Sequence, residues 1–162
     1  MTTLICLLLI AALTAVDQMI KFFIERDLRP ISYAPVIDKV VDLRYLQNTG
    51  AAFGSFGTKT VLLSVFTAIV LLVGIYLIVA KKIKSKYYLA CAVMIIAGGL
   101  GNLIDRIFRG YVIDYIEVQF TNFAIFNFAD MLVTVGAFMV IIYLIVDIIR
   151  DKNKKPSGEK SE

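Results

Sequence analysis

Residues 61–80 read VLLSVFTAIVLLVGIYLIVA, an apolar stretch without a charged side chain. The hydrocarbon core of a bilayer is about 30 Å thick, so a helix that rises about 1.5 Å per residue needs about 20 apolar residues to cross it. A helix that is apolar on all sides belongs in a bilayer or in the core of a large protein. Since the chain has only 162 residues, this stretch predicts a membrane-spanning helix.

Three further stretches satisfy the same length requirement, at residues 2–24, 87–104 and 123–146. The whole chain is 59% hydrophobic and 19% charged, whereas soluble domains average about 45–50% and about 25%. This composition argues against a water-soluble globular domain. We expect an all-α integral membrane protein with four transmembrane helices.

The first stretch has an alternative interpretation as a cleaved signal peptide. It has no basic start, its apolar character continues past the charges at residues 17–21, and no clear A-x-A site precedes a polar segment. We therefore expect a retained helix.

Basic residues predict the orientation of the spans. The connection 81–86 reads KKIKSK, and residues 150–155 carry four more basic side chains. The positive-inside rule places both segments in the cytoplasm. Both termini then lie inside, and the connections 25–59 and 108–122 lie outside. The expected organisation is one four-helix domain and a polar cytoplasmic tail, at residues 1–150 and 151–162.

The longer outer connection carries signs of ordered structure. Val41, Leu43 and Tyr45 alternate with charged residues, the period of a half-buried strand. A glycine-rich stretch, NTGAAFGSFG, follows at residues 48–57. We expect a small extracytoplasmic β-cradle, and its charges of both signs give no basic patch for nucleic acid. If this cradle moves, we expect its glycines to permit the movement. They are Gly50, Gly54 and Gly57.

Two residue counts restrict the chemistry. The chain has no histidine, which excludes Ser-His-Asp and Cys-His catalysis and His-ligated zinc. Cys6 and Cys91 lie in separate apolar runs without metal or redox spacing, so we expect packing residues. We expect no metal or other cofactor, and activity that persists under strong chelation.

Ionisable residues within the predicted spans or at their ends gather toward one side of the membrane, although burying such a side chain at the bilayer centre costs at least ~2.5–3.5 kcal/mol. They are Asp17, Lys21, Asp105, Arg106 and Asp130. Because Asp17 and Lys21 are four residues apart, we expect them to pair while Lys21 extends outward to the interface. The small residues of GGLG at 98–101 are typical of close helix packing.

Asp114 and Asp130 have no obvious counter-ion, since apolar residues flank Asp114 and no cation neighbours Asp130 in sequence. Two carboxyl groups in one low-dielectric site titrate as a pair, which supplies an acid and a base at one pH. From the residues alone, this fits a membrane-embedded hydrolase and, about equally, an ion-coupled transporter that uses Asp17, Asp105 and Asp130. A noncatalytic scaffold is a third class. Transport sites usually lie near the midplane between repeated halves, and no repeat is evident here.

Five motifs, in order, resemble the bacterial lipoprotein signal peptidase family, also called signal peptidase II. They are DQMIK at 17–21, NTGAAFG at 48–54, GGLGNLIDR at 98–106, GYVIDY at 110–115 and FNFAD at 126–130. Nearly the whole chain except the tail is covered. Gly99 and Tyr115 stand where alanine and phenylalanine are common, and neither difference changes a polar group.

The resemblance implies an aspartic endopeptidase of the bacterial cell membrane, acting toward the outer leaflet and sensitive to inhibitors of the globomycin type. Its substrates would be prolipoproteins, cut before a diacylglyceryl-modified cysteine. The implied roles are catalytic for Asp114 and Asp130, substrate-binding or site-shaping for Asn48, Asn102, Arg106 and Asn127, and supporting for Asp17, Lys21, Gly50 and Asp105. Membrane lipids are expected partners, and we expect a monomer because one four-helix unit can satisfy its own polar groups.

Overall fold

The computed structural model describes residues 2–50, 58–121 and 123–154 of the chain. The helices are α1 (Thr3–Phe23), α2 (Thr58–Val79), α3 (Lys86–Phe108) and α4 (Phe128–Lys154), and the strands are β1 (Tyr33–Ile37), β2 (Val41–Asn48) and β3 (Val112–Val118). A π-helical turn, Ile24–Leu28, extends α1. Four helices of the described part are long and apolar enough to cross a membrane, which confirms the predicted fold class.

Helix ends differ from the predicted ends by a few residues. The largest difference is at the end of α4, which extends to Lys154 rather than to residue 146, and the same helix begins at Phe128 rather than at residue 123. The side chains of Asn127 and Asp130 bond the backbone at this end, and such reciprocal capping sets where a helix begins. The candidate hinge residues Gly54 and Gly57, and the tail at 155–162, lie outside the described residues.

The central helix of the bundle is α3, which packs against α1, α2 and α4. The predicted glycine packing is confirmed. A Cβ atom at Gly98 would overlap the carbonyl oxygen of Ala129 in α4, and one at Gly101 would overlap the Asp17 carboxylate in α1. Cys6 and Cys91 are free and fully buried, as expected of packing residues.

The three strands form one antiparallel sheet in the order β1-β2-β3. Asn48 at the end of β2 pairs with Val112, and a register shift lies between Leu43 and Leu46. The sheet was predicted, but the predicted alternation of buried and solvent-facing residues along β2 was wrong at one position. Asp42 is buried rather than solvent-facing, and the hydroxyl group of Tyr33 donates a 2.7 Å hydrogen bond to its Oδ2, which offsets part of the cost of that burial.

Large apolar side chains remain exposed along α1, α2 and α4. A soluble protein of this size rarely exposes contiguous apolar surface on this scale. Exposed apolar helices around a glycine-packed central helix are the arrangement expected where lipid is the solvent.

Candidate active site

Asp114 and Asp130 approach one another at the sheet end of the bundle. Asp114 lies in β3 and is 1% exposed, and Asp130 lies in the first turn of α4. Both line one cavity of about 530 Å³, together with Asn48 and apolar residues of 123–126. Three site residues that are distant in sequence thus border the same space.

Asp114 accepts hydrogen bonds from two asparagine amides. Nδ2 of Asn48 lies 2.8 Å from its Oδ2, and Nδ2 of Asn127 lies 2.6 Å from its Oδ1. Burial raises the pKa of Asp114 to about 6, and the charge of Asp130 adds to this rise. The hydrogen bonds from the Asn48 and Asn127 side chains act in the opposite direction and lower the pKa. The carboxyl group is therefore poised to change protonation near neutral pH.

Asp130 is held by the capping arrangement of α4 and by α3. Its backbone N–H donates to Oδ1 of Asn127 at 2.9 Å, and the backbone N–H of Asn127 donates to its Oδ2 at 3.2 Å. Nδ2 of Asn102 donates to its Oδ1 at 2.7 Å. Each aspartate therefore receives two N–H donors, and its position is fixed by more than one structural element.

The three asparagines have their amide oxygens occupied by fixed donors. Oδ1 of Asn48 accepts from the backbone N–H of Gly50 at 2.8 Å, and Oδ1 of Asn102 accepts from Nζ of Lys21 at 3.0 Å. Oδ1 of Asn127 accepts from the α4 backbone. Since an amide has one acceptor end and one donor end, each NH₂ group is thereby turned toward a carboxylate. Gly50 has a φ of 75°, a backbone conformation that favours glycine.

Lys21 lies in a fully buried ion-pair cluster beneath the two aspartates. Its Nζ is 2.9 Å from Asp17 and 2.8 Å from Asp105, and none of these side chains is exposed. The predicted Asp17–Lys21 pair is confirmed, but the prediction that Lys21 extends outward was wrong. Two carboxylates and the Asn102 oxygen surround the ammonium group, so it has no need of interfacial water.

Arg106 lines a second cavity of the helix bundle. This cavity, of about 270 Å³, lies between α2, α3 and α4 and is also lined by Asn102 and Asp130. Within the described ranges Arg106 makes no ion pair, whereas its neighbour Asp105 bonds Lys21. The half-buried guanidinium therefore lies beside the site and within the electrostatic influence of Asp130, Asp114 and Asp105.

The model of the family described as signal peptidase (SPase) II matches residues 9–146 of this chain. The chain belongs to the signal peptidase II family. It is 37% identical to the lipoprotein signal peptidase of Enterococcus faecalis, over 86% of this chain and 87% of that protein. It is 36% identical to that of Lactococcus lactis subsp. lactis, over 96% and 100%, and 39% identical to that of Caldanaerobacter subterraneus subsp. tengcongensis, over 86% and 94%.

Two solved structures share the fold of this signal peptidase II member. Both are described as a bacterial membrane enzyme structure, with TM-scores of 0.79. The first is 28% identical and covers 86% of this chain and 91% of its own, and the second is 27% identical and covers 96% and 94%. Family and fold together identify a multi-pass membrane peptidase, so the transporter and scaffold alternatives are set aside.

Two polar residues near the site of this signal peptidase were not predicted from its sequence. Gln18 lies beside the buried cluster and donates from Nε2 to the carbonyl oxygen of Gly101 at 3.1 Å. Arg109 donates from Nη1 to Asp105 at 2.7 Å. The second contact had a visible signal, since Arg109 follows Asp105 by four residues on one helix. Among the described residues, no group of three or more His, Cys, Asp or Glu side chains is arranged to hold a metal ion.

Proposed function

We propose that this signal peptidase is an aspartic endopeptidase in which Asp114 and Asp130 activate water. The observation that carries the proposal is that both carboxylates border one cavity while two N–H donors fix each of them. Such a pair needs no histidine, serine or metal to supply an acid and a base.

The reaction requires one proton shared between the two carboxyl groups. The ionised carboxylate removes a proton from water, and the water oxygen attacks the carbonyl carbon of the scissile peptide bond. The protonated carboxyl group donates to the carbonyl oxygen. The gem-diol intermediate then collapses. The carboxyl group that took the water proton passes it to the departing nitrogen as the C–N bond breaks, and the other carboxylate takes back a proton from a hydroxyl group of the intermediate, so that the pair again carries one proton. The raised pKa of Asp114 supports a proton residing on the pair up to about pH 6.

The substrate we propose is a prolipoprotein, cut on the N-terminal side of its diacylglyceryl-modified cysteine. The relatives are described as lipoprotein signal peptidases. The cavity of the aspartates is also lined by Met131 and Val135, which are 44% and 45% exposed on the lipid-facing side of α4. This lateral opening suits a signal helix that arrives within the bilayer. The membrane then supplies much of the proximity between peptide bond and carboxylates.

The orientation we propose follows from the lysines at 81–86. The positive-inside rule places them and both termini in the cytoplasm of a bacterial cell. The sheet and both aspartates then lie toward the outer leaflet, where the acyl chains of the modified cysteine would also lie. Inhibitors of the globomycin type are expected to compete for the aspartate cavity.

Cleavage of a diacylated prolipoprotein by the purified full chain in lipid tests the proposal. We expect Asp114→Asn and Asp130→Asn each to lower the rate by at least about 10²-fold, since proton transfer contributes about 10²–10⁴-fold. Asp38→Asn removes an exposed carboxylate at the same end of the helices and should cleave like the wild type. Thermal unfolding of each variant verifies folding. Unimpaired cleavage by either site variant would overturn the aspartate pair.

A further inference from the structure

A cavity of about 690 Å³ lies at the end of the bundle away from the sheet. It is bordered by the first turns of α1 and α3, the end of α2 and the connection between α2 and α3. Its volume falls within the range of about 300–1,000 Å³ that is typical of ligand sites. No residue of the candidate active site lines it.

The polar lining of this cavity is positively charged. Lys81, Lys84 and Lys86 contribute to it, together with the threonines Thr2 and Thr3, and no carboxylate among the described residues does. In the part of the chain that the structure describes, none of the three lysines forms an ion pair. Three ammonium groups around one space attract an anion.

Lys81 has a backbone conformation that is unusual for lysine. Its φ is 54°, in the left-handed region that favours glycine at the C-terminus of a helix. Its backbone N–H closes the last turn of α2 on the carbonyl oxygen of Ile78 at 3.1 Å. A glycine would make this turn more easily, so the position carries an ammonium group at a conformational cost. A strained backbone conformation of this kind often accompanies a functional site.

The inner wall and one side of the cavity are apolar. Cys6, Ile78 and Leu89 line it and are at most 8% exposed. Leu4 also lines it but is 66% exposed on the outer surface of α1. The cavity therefore opens sideways onto the lipid-facing surface as well as toward the basic connection. A ligand that fits has an anionic group and attached hydrocarbon.

We propose that this cavity binds the headgroup of an anionic glycerophospholipid of the surrounding leaflet. The phosphate lies among the three lysines, and an acyl chain follows the exposed surface of α1 from Leu4. Basic pockets between transmembrane helices are known sites for anionic headgroups. The apolar wall and sideways opening favour a lipid over a soluble phosphate, which would leave that wall uncovered.

Binding to the full chain in neutral nanodiscs doped with fluorescent phosphatidylglycerol tests this site. The site variant is Lys84→Gln/Lys86→Gln. Its matched control, Lys82→Gln/Arg150→Gln, removes two basic residues at the same end that do not line the cavity. At about fivefold per lysine, we expect an affinity loss of about 25-fold in the site variant and less than twofold in the control. Unchanged unfolding temperatures in lipid-free detergent exclude a folding effect.

Three results would overturn the proposal. Equal affinity losses in the two double variants would mean general attraction between a charged surface and the lipid. Equal binding of phosphatidylcholine would remove the need for an anionic headgroup. Competition by glycerol 3-phosphate as strong as that by the lipid would assign the cavity to a soluble anion. Because the active site is not part of this measurement, failure here leaves the peptidase proposal unaffected.

Discussion

Nδ2 of Asn127 donates a 2.6 Å hydrogen bond to Oδ1 of Asp114, while the same side chain caps α4. Its Oδ1 accepts from the backbone N–H of Asp130, and its own backbone N–H donates to the Asp130 carboxylate. One residue therefore fixes the strand carboxylate and the helix carboxylate relative to each other. Helix capping and placement of the aspartate pair are coupled, but different atoms perform them, so mutation can separate them.

Asn127→Ser tests this separation. Serine is a good N-cap but is too short to reach Asp114 from the same position. We expect the serine variant to lose about 10²-fold in kcat/KM, as expected for a misplaced catalytic group. It should nevertheless unfold at a higher temperature than Asn127→Ala, which also loses a cap worth about 0.5–2 kcal/mol. Wild-type cleavage by the serine variant would show that the bridge to Asp114 is dispensable.

Three neighbouring glycines of α3 are expected to respond differently to alanine. A Cβ atom at Gly98 would overlap a backbone oxygen of α4, and one at Gly101 would overlap the buried Asp17 carboxylate. Neither neighbour can move aside, so each variant should lose at least about 1–3 kcal/mol of unfolding free energy. At Gly99 the new atom meets only the end of the Leu71 side chain, at 2.7 Å.

The control in this series is therefore Gly99→Ala. The flexible Leu71 side chain can shift, and alanine favours a helix over glycine by about 1 kcal/mol. Thermal unfolding in one detergent should place Gly99→Ala near the wild type and both other variants well below it. Strong destabilisation by Gly99→Ala, or wild-type stability of Gly98→Ala, would contradict the close packing of α3 against α4 described above.

The membrane fold was predictable from sequence because its signals are local. Apolar length gives the four spans, and i,i+4 spacing gives the Asp17–Lys21 pair. The burial of Lys21 was not predictable in this way. It depends on Asp105, which lies 84 positions further along the chain and reaches Lys21 only when α1 packs on α3.

The contact between Asn48 and Asp114 shows the same limit for the sheet. Alternation in β2 predicts a strand, but its pairing with β3 includes a register shift between Leu43 and Leu46. Such a shift changes which residues lie opposite one another. Hence the motif order indicated both residues, whereas their 2.8 Å hydrogen bond required the folded strand pair.

Lys21→Met is expected to be strongly destabilising. It leaves Asp17 and Asp105 buried without their shared cation, and breaking a buried pair in this way costs about 3–5 kcal/mol. Arg44→Met is the control, because it breaks the more exposed Arg44–Glu117 pair of 2.9 Å, which is worth at most about 1 kcal/mol. Denaturant unfolding in mixed micelles measures both. Similar losses for the two variants would mean that the buried cluster contributes no more than a surface pair.

The pH dependence of cleavage should follow the protonation of Asp114. Burial raises its pKa from 3.8 to about 6, so the folded chain holds this proton more tightly than the unfolded chain. The stability that the folded chain gains by binding this proton is fully present below about pH 4 and is lost as pH rises through about 6. Since the productive pair carries one proton, kcat/KM should show a descending limb near pH 6.

Asn48→Ala is expected to move that limb to higher pH. The Asn48 amide favours the ionised form of Asp114 and thereby lowers its pKa, so its removal leaves the proton bound over a wider range. Gln47→Ala is the control, because Gln47 bonds the hydroxyl group of Tyr45 on the exposed strand surface and should leave the limb in place. Profiles of kcat/KM between pH 4 and pH 9 on one lipopeptide compare the three proteins. A limb that stays fixed in Asn48→Ala, or moves to lower pH, would mean that another group controls the alkaline loss of activity.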